Sequence, residues 1–217
     1  MKNVLFHTLG CKHNFTESSS IADQFRKRGF RVEPNDKPDI FVINTCSVTG
    51  NAERECRQIV RRMIKKNPDA FIAVVGCYAQ IRSIELAGIE GVDLILGSKE
   101  KFFLFDYEQD FVKKGKPVII VSDFSEEDIA IESFSSTEER TRAFLKVQDG
   151  CDYKCSYCTI PMTRGKSRSL SPETIEKNII EIASRGFKEV VITGVNVSDY
   201  GKKVGSDFII CSKELIK

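Results

Sequence analysis

Short apolar runs alternate with stretches of helical spacing along residues 1–100, and this alternation limits the fold more than any other feature of the chain. Strands are predicted at residues 4–9, 40–44, 71–75 and 92–96. Between them apolar residues share one helical face, which in the segment 51–66 carries Ala52, Cys56, Ile59, Val60 and Met63. A helix over 100–113 and a strand over 118–121 complete the pattern. Strands separated by helices predict an α/β fold that begins with a doubly wound parallel sheet.

The composition changes after this region. Residues 123–141 are rich in acidic residues and serine, which is typical of a connection between domains. A strand is predicted at 143–147, then a cysteine loop, then a helix that Ser171 caps and Gly186 ends, then a strand at 189–193. This order predicts the start of a (β/α) barrel. We therefore expect an N-terminal domain over 1–122, a linker over 123–142 and a partial barrel domain over 143–217.

Eight cysteines are present in a chain with no recognisable signal peptide and no apolar run long enough to span a membrane. These features predict a cytoplasmic protein, where a reducing environment disfavours structural disulfides and favours metal, cluster or redox roles. The 33 basic and 31 acidic residues give a net charge of +2. Such a balance neither requires nor excludes a nucleic-acid partner.

Cys151, Cys155 and Cys158 form a C-x3-C-x2-C loop. Three thiolates on so short a loop reach three corners of a four-iron cluster and leave the fourth iron open to a ligand. A zinc loop or unpaired thiols are the alternatives. Structural zinc usually shows two Cys pairs or a nearby His, and neither follows this loop. The spacing therefore favours a 4Fe–4S cluster.

Cys11, Cys46 and Cys77 are far apart in the sequence, but each comes directly after an apolar run. In a parallel sheet all three would lie at the carboxyl ends of strands, where α/β folds place their sites. Cysteine is also a common small core residue, which is the alternative interpretation. Three cysteines at one edge favour a second cluster, and Gly10 and Gly76 would let the backbone bend close to it.

The other candidate ligands have simpler interpretations. Cys56 lies on the apolar face of its predicted helix and is expected in the core. Cys211 lies in a tail that has no evident pattern. His7 and His13 are expected to be accommodated without binding metal, although His13 lies two residues from Cys11 and is expected to line the cluster pocket.

Several segments resemble the methylthiotransferase family of radical S-adenosylmethionine enzymes. The matching segments are TLGCKHNFTES, NTCSVTGNAERECRQ, VVGCYAQ, KVQDGCDYKCSYCTIPMTRGKSRS and VVITGVNVSDYG. The resemblance extends from residue 1 to about residue 204. Within the family, TLGCK-x-NF and VQDGCDY-x-CSYCTIP are similar to the branch that modifies threonylcarbamoyladenosine in tRNA.

The resemblance implies two 4Fe–4S clusters and S-adenosylmethionine as cofactors. The cluster of Cys151, Cys155 and Cys158 would generate a radical that abstracts hydrogen from C2 of the adenine ring. The cluster of Cys11, Cys46 and Cys77 would present sulfur to that carbon, and a second S-adenosylmethionine would supply the methyl group. tRNA is the implied partner, together with a reduced flavodoxin or ferredoxin-type electron donor.

The resemblance also implies roles for individual side chains outside the cysteine sets. Tyr157, Gly194 and Asn196 match positions at which the superfamily contacts S-adenosylmethionine. Arg164 and Arg168 are candidates for contact with an anion or the RNA backbone, and a solvated basic loop is an equal alternative.

The chain departs from the family after Gly205, where it reads SDFIICSKELIK. The family has a complete barrel and usually a small C-terminal RNA-binding domain, so we expect this chain to be C-terminally truncated. Two alternative functions follow. A ribosomal-protein methylthiotransferase would carry the same two cysteine sets. A truncated, non-catalytic iron–sulfur protein would keep the clusters without turnover.

Overall fold

Two sheets organise the chain in the computed structural model, which describes residues 1–34, 36–47, 50–113, 115–124 and 142–202. The strands are β1 Asn3–Thr8, β2 Arg31–Val32, β3 Ile40–Thr45, β4 Phe71–Gly76, β5 Leu94–Leu96, β6 Val118–Ile120, β7 Arg142–Asp149, β8 Arg168–Ser169 and β9 Glu189–Gly194. The helices are α1 Lys12–Lys27, α2 Gly50–Lys66, α3 Cys77–Ala87, α4 Leu104–Tyr107, α5 Ile160–Arg164 and α6 Pro172–Ser184. Among these residues, no helix has the length and apolar character needed to cross a membrane.

The first sheet has the order β2-β1-β3-β4-β5-β6, and every pair in it is parallel. Side chains alternate between its two faces, so Ile40 and Val42 pack against α1 while Phe41 and Ile43 pack against α2 and α3. Because helices cover both faces, the central strands β3 and β4 are buried along their whole length. The predicted doubly wound parallel sheet is confirmed.

The second sheet has the order β8-β7-β9. β7 and β9 are parallel, and the short β8 pairs with the end of β7 in the antiparallel direction. Helix α6 packs against β7 through Ile175 and Ile182. The helix begins where the sequence predicts, because the Ser171 side chain accepts a hydrogen bond from the Thr174 N–H. A strand, a cysteine loop, a helix and a parallel strand thus follow in the predicted order.

The prediction of one continuous helix over 100–113 is wrong. A 3₁₀ turn at Glu100–Phe103 and the four-residue α4 replace it. The backbone turns after α4 because the Glu108 carboxylate accepts hydrogen bonds from the N–H groups of Asp110 and Phe111, and Phe111 has a φ of 51°. Most of the predicted linker and the tail with Cys211 lie outside the described residues, and the domain boundaries at 122 and 142 stay a prediction.

Candidate functional site

The order of the first sheet reverses between β1 and β3, because the chain runs outward from β1 to β2 and then returns to place β3 on the other side of β1. In open α/β sheets such a reversal leaves a crevice at the carboxyl ends of the two strands, which is where ligands bind. Cys11 and Cys46 follow these two strands, and Cys77 follows the adjacent β4. The structure therefore brings all three cysteines to one edge of the sheet, beside the crevice.

Glycine allows the backbone to close tightly around this edge. Gly10 has a φ of 102°, and a Cβ atom placed on it would lie 2.8 Å from Cys46 Sγ. Gly76 has a φ of 98°, and a Cβ atom there would collide with the Asn44 side chain. Both positions need a residue without a side chain, since L-residues avoid this backbone region and no space remains.

A set of buried hydrogen bonds joins the three strand ends. The Asn14 side-chain amide donates to the carbonyl oxygens of Leu9 and Thr45, at 2.8 Å each. The Thr45 hydroxyl donates to the Val75 carbonyl at 2.7 Å and accepts from the Tyr78 N–H at 3.1 Å. Two side chains thus hold the backbone beside Cys11, Cys46 and Cys77 in a defined arrangement.

The second cysteine set lies on the loop that follows β7. Cys155 is exposed, and Cys151 and Cys158 are partly exposed. The Cys151 N–H donates to the Gly165 carbonyl at 3.1 Å, and the Cys158 N–H donates to the Cys155 carbonyl at 3.0 Å. Gly150 has a φ of 72°, and a side chain there would collide with the backbone of Lys166. The loop is therefore fixed at its base while its thiols remain accessible.

The two cysteine sets approach each other across the two sheets. The Thr159 hydroxyl, directly after Cys158, donates to the carbonyl of Ser47, directly after Cys46, at 3.4 Å. Helix α3, which begins at Cys77, packs against α5. The loops that carry the two sets are therefore neighbours in the folded chain.

A buried charged group lies behind this junction. Arg164 is 3% exposed, and its guanidinium donates to the Glu17 carboxylate at 2.9 Å and to the Asp149 carboxylate at 3.1 Å. The same guanidinium donates to the Asn14 side-chain oxygen at 2.7 Å. A planar fork of donors suits such a site, because one Arg side chain can reach several acceptors at once.

Two lysines complete the network. Lys101 donates to Glu17 at 2.6 Å, and Lys146 donates to Glu17 and to Asp149 at 3.0 Å each. Burial alone would raise the pKa of Glu17, but Arg164, Lys101 and Lys146 outweigh it and hold that pKa well below 4.5. Glu17 is therefore ionised in the folded protein, and it pairs with cations from both halves of the chain.

The network reaches the first cysteine set through charge as well as through hydrogen bonds. Burial would lower the pKa of Arg164, but Cys77, Glu17 and Asp149 outweigh it and raise that pKa well above its ordinary value. The guanidinium is therefore charged in the folded protein, where the carboxylates of Glu17 and Asp149 pair with it.

Comparisons with known proteins identify the family. Residues 3–97 match the model of the Uncharacterized protein family UPF0004, and residues 145–217 match that of the Radical SAM superfamily. The chain is 38% identical over 207 residues to the threonylcarbamoyladenosine tRNA methylthiotransferase MtaB of Bacillus subtilis (strain 168), with 93% of this chain and 45% of the relative covered. It is 37% identical over 216 residues to the protein of the same name from Aquifex aeolicus (strain VF5), with 99% and 53% covered. The chain belongs to the radical S-adenosylmethionine methylthiotransferase family.

The relatives are named as enzymes, and the match to the Radical SAM superfamily implies a 4Fe–4S cluster and S-adenosylmethionine. The family includes other specificities, since the chain is also 32% identical to the tRNA-2-methylthio-N(6)-dimethylallyladenosine synthase of Clostridium botulinum (strain Langeland / NCTC 10281 / Type F), with 90% of this chain and 45% of the relative covered. The chain spans about half the length of the curated relatives it matches.

A solved structure supports the fold alone. The radical S-adenosylmethionine methyltransferase TsrM from Kitasatospora setae superposes with a TM-score of 0.53 at 13% identity, and covers 91% of this chain and 48% of its own. The α/β architecture is therefore shared with a radical S-adenosylmethionine enzyme.

The residues at the two methylthiotransferase cysteine sets fit iron–sulfur clusters in their chemistry. Among the described residues, no three His, Cys, Asp or Glu side chains surround a single metal-ion position. A cluster does not need such a position, because its thiolate ligands bind different irons. Beside the first set, His13 Nδ1 and Ser47 Oγ are buried and have no hydrogen-bond partner within the described structure. Unpaired polar atoms beside two of the cysteines suit a polar group held there.

The predicted S-adenosylmethionine contacts lie at the carboxyl ends of the second sheet. Tyr157 is 87% exposed on the cysteine loop. Gly194 ends β9, and the Asn196 N–H donates to the Gln148 side chain at 2.8 Å. A Cβ atom on Gly194 would lie 2.8 Å from the Val197 side chain, so this turn also needs a glycine. Their contact with the cofactor remains a prediction.

Several polar residues have structural places that differ from the simplest sequence interpretation. Arg164 and Arg168 are buried, so the interpretation of their segment as a solvated basic loop is wrong. Arg168 donates to the Arg164 carbonyl at 2.8 Å. Cys56 is fully buried on the inner face of α2, as predicted. Burial lowers the pKa of His7 and of His13. The roles of Glu17 and Lys101 were missed, because no pattern in the sequence distinguishes this acid in α1 or this lysine after β5 from the other charged residues nearby.

Proposed function

We propose that this chain is a tRNA methylthiotransferase that adds a methylthio group to C2 of threonylcarbamoyladenosine. The observation that carries the proposal is the hydrogen bond between Thr159 and Ser47, which makes neighbours of two loops that each carry a cysteine set. A radical source and a sulfur source must act on one carbon atom, so they must lie close together. The similarity to proteins named for this modification supports the substrate.

Cys151, Cys155 and Cys158 hold one 4Fe–4S cluster in this proposal, and Cys11, Cys46 and Cys77 hold a second. When bound, the clusters and S-adenosylmethionine supply the radical, the sulfur and the methyl group.

The chain's own residues position and shield these groups. Asn14 and Thr45 fix the strand ends that carry the second cluster's ligands. The Gln148 side chain fixes the turn that carries Asn196, which together with Tyr157 and Gly194 contacts S-adenosylmethionine.

The cluster count is tested by iron analysis after anaerobic reconstitution. Two four-iron units require about eight irons per chain. The triple variant C151A/C155A/C158A should keep about half of that iron, and C11A/C46A/C77A should keep the other half. The single variant C56A is the matched control and should bind as much iron as the parent. A triple variant that retains all its iron would contradict the two-cluster proposal. Zinc in the cysteine sites of protein purified without oxygen would also contradict it.

The substrate is tested with tRNA that contains threonylcarbamoyladenosine but lacks the methylthio group. The anaerobic reaction contains the reconstituted chain, S-adenosylmethionine and a chemical reductant, and nucleosides are analysed by mass spectrometry. Gain of a methylthio group on this nucleoside supports the proposal. Modification of dimethylallyladenosine, or of a ribosomal protein supplied in parallel, would replace the proposed substrate. Absence of both S-adenosylmethionine cleavage and modified product would favour the non-catalytic iron–sulfur protein.

The partners and compartment are also proposed. tRNA is the macromolecular substrate, a reduced flavodoxin or ferredoxin-type protein is the electron donor, and the reaction takes place in the cytoplasm. The donor is tested by replacing the chemical reductant with each purified reduced protein and measuring cleavage of S-adenosylmethionine. Cleavage with neither protein would exclude both donors.

A further inference from the structure

An unbroken series of contacts runs from one cysteine set to the other through the protein interior. It begins at the carbonyls of Leu9 and Thr45, which both accept from the Asn14 amide. The oxygen of that amide accepts from the Arg164 guanidinium at 2.7 Å. The next residue in the chain, Gly165, accepts from the Cys151 N–H at 3.1 Å. Two side chains thus connect the backbone beside Cys11 and Cys46 with the backbone of Cys151.

The charged groups around this series of contacts hold the Arg164 side chain in one position. Its guanidinium is held by Glu17 from the first half of the chain and by Asp149 from the second. Asp149 also accepts from the N–H of Gly150, directly before Cys151, at 2.8 Å. Because the site is closed to solvent, moving Arg164 would leave at least one buried charge or amide without a partner.

Such a network is a poor source of stability but a good source of defined geometry. The desolvation cost of buried ions offsets much of their attraction, so apolar residues of similar volume would stabilise the interface equally well. Directional hydrogen bonds, in contrast, allow one arrangement of the two halves. This distinction matters here because the fork of Arg164 meets acceptors that come from both sides of the interface.

We propose that Asn14 and Arg164 are positioning residues that hold the Cys11/Cys46/Cys77 edge and the Cys151/Cys155/Cys158 loop at one fixed separation. The inference rests on the proposed function, in which the two sets hold two clusters that act on the same substrate atom. Both side chains are buried, with Asn14 1% and Arg164 3% exposed, so they act through the backbone that they hold. Their task is to keep the sulfur source and the radical source in register while substrate enters between them.

The test compares Arg164→Lys with the parent chain after anaerobic reconstitution and reduction. Lysine keeps the charge but loses the fork, so it cannot bond Asn14, Glu17 and Asp149 together. Asn14→Ser is the second variant, because it interrupts the same series while leaving every ion pair in place. Arg26→Lys is the matched control, since Arg26 pairs with Asp23 on an exposed helix surface. Iron content and the distance between clusters, from dipolar coupling in pulsed EPR, are measured for all four proteins.

The parent and the Arg26→Lys control should each show one narrow distance distribution. Arg164→Lys should keep the parent's iron content but show a distribution at least twofold broader. Asn14→Ser should show an equally broadened distribution in the molecules that retain both clusters. Narrow distributions in both variants would overturn the positioning role. This result would leave the proposed function intact, because the iron content reports on the clusters separately.

A second measurement covers the case in which the parent binds only one cluster, which would overturn the proposed function. Amide hydrogen exchange of the metal-free proteins measures whether Asn14 and Arg164 join the two halves, and it needs no cluster. Amides in residues 9–17 and 150–165 should exchange several-fold faster together in both variants and at the parental rate in Arg26→Lys. Acceleration confined to one of the two segments, or absent from both, would show that the residues do not join the halves.

Discussion

Gly10 shows how one missing side chain permits a cysteine site. Its φ is 102°, and a Cβ atom at this position would lie only 2.8 Å from Cys46 Sγ, which leaves no room for alanine. We expect Gly10→Ala to displace Cys46 and to reduce reconstituted iron to about half, the share of the other cysteine set. Iron analysis measures this.

Gly29 provides the control for Gly10. It has a φ of 83°, but nothing lies within 4 Å of a Cβ atom placed on it. Gly29→Ala therefore imposes a similar backbone strain without the collision, and its iron content should equal that of the parent. An equal loss of iron in both variants would mean that backbone strain, and not the approach to Cys46, causes the effect.

Cys56 should be chemically silent among the cysteines. It is fully buried on the inner face of α2, and burial raises the pKa of its thiol to about 12. Because the thiolate is the reactive form, iodoacetamide at pH 8 should modify the exposed Cys155 in the metal-free folded protein and leave Cys56 unmodified. Peptide mass spectrometry measures this, and in urea both should react. Equal modification in the folded state would contradict the burial of Cys56.

The same residues show what sequence can predict. Cys11, Cys46 and Cys77 could be placed at one edge because each follows an apolar run, and the strand end is a local property. Arg164 could not be placed, since its partner Glu17 is 147 residues away and nothing near either residue marks the pairing. From the sequence alone, a basic residue in a polar segment is expected to be exposed. Only the folded structure shows that a buried acid lies beside it.

At the level of elements, α6 depends on its first residue. The Ser171 hydroxyl accepts from the Thr174 N–H, which otherwise has no helical partner. We expect Ser171→Ala to lower the free energy of unfolding by about 1 kcal/mol. Urea denaturation measures it, with Ser184→Ala at the exposed end of the same helix as the control. A loss no greater than that of the control would show that the cap contributes nothing.

The elements that sequence predicted well are those whose side chains alternate or repeat regularly. The observed bounds of β3, β4, α2 and α6 lie within a residue or two of the predictions. The prediction of a helix over 100–113 was wrong although its apolar residues suit a helix. The Glu108 carboxylate accepts hydrogen bonds from the backbone N–H groups of Asp110 and Phe111, which a continuing helix would use. The two-residue strands β2 and β8 are too short to carry a pattern.

For the whole molecule, the ionisation of Glu17 links stability to pH. The unfolded chain takes up a proton near pH 4.5, whereas the folded protein, with its lower pKa, does not. The contribution of Glu17 is therefore complete above pH 4.5 and is lost as the pH falls further. We expect Glu17→Gln to lower the free energy of unfolding at pH 7 by about 3 to 5 kcal/mol, because three cations lose a buried counter-charge.

Urea unfolding between pH 7 and pH 3 measures this dependence. The parent should lose stability with falling pH more steeply than Glu17→Gln, so the two curves should approach each other in acid. Glu176→Gln, at an exposed site of α6, should follow the parent throughout. Parallel curves for the parent and Glu17→Gln would show that Glu17 is not ionised in the folded protein.

The position of Glu17 limits which halves of related chains can be combined by recombination. Its carboxylate lies on α1, and two of the three cations that it pairs with, Lys146 and Arg164, belong to the second half of the chain. A recombinant that joins the first half of one relative to the second half of another would fold well only if both parents place compatible charges at these positions. We therefore expect functional recombinants between family members to keep compatible buried charges at positions 17, 146 and 164.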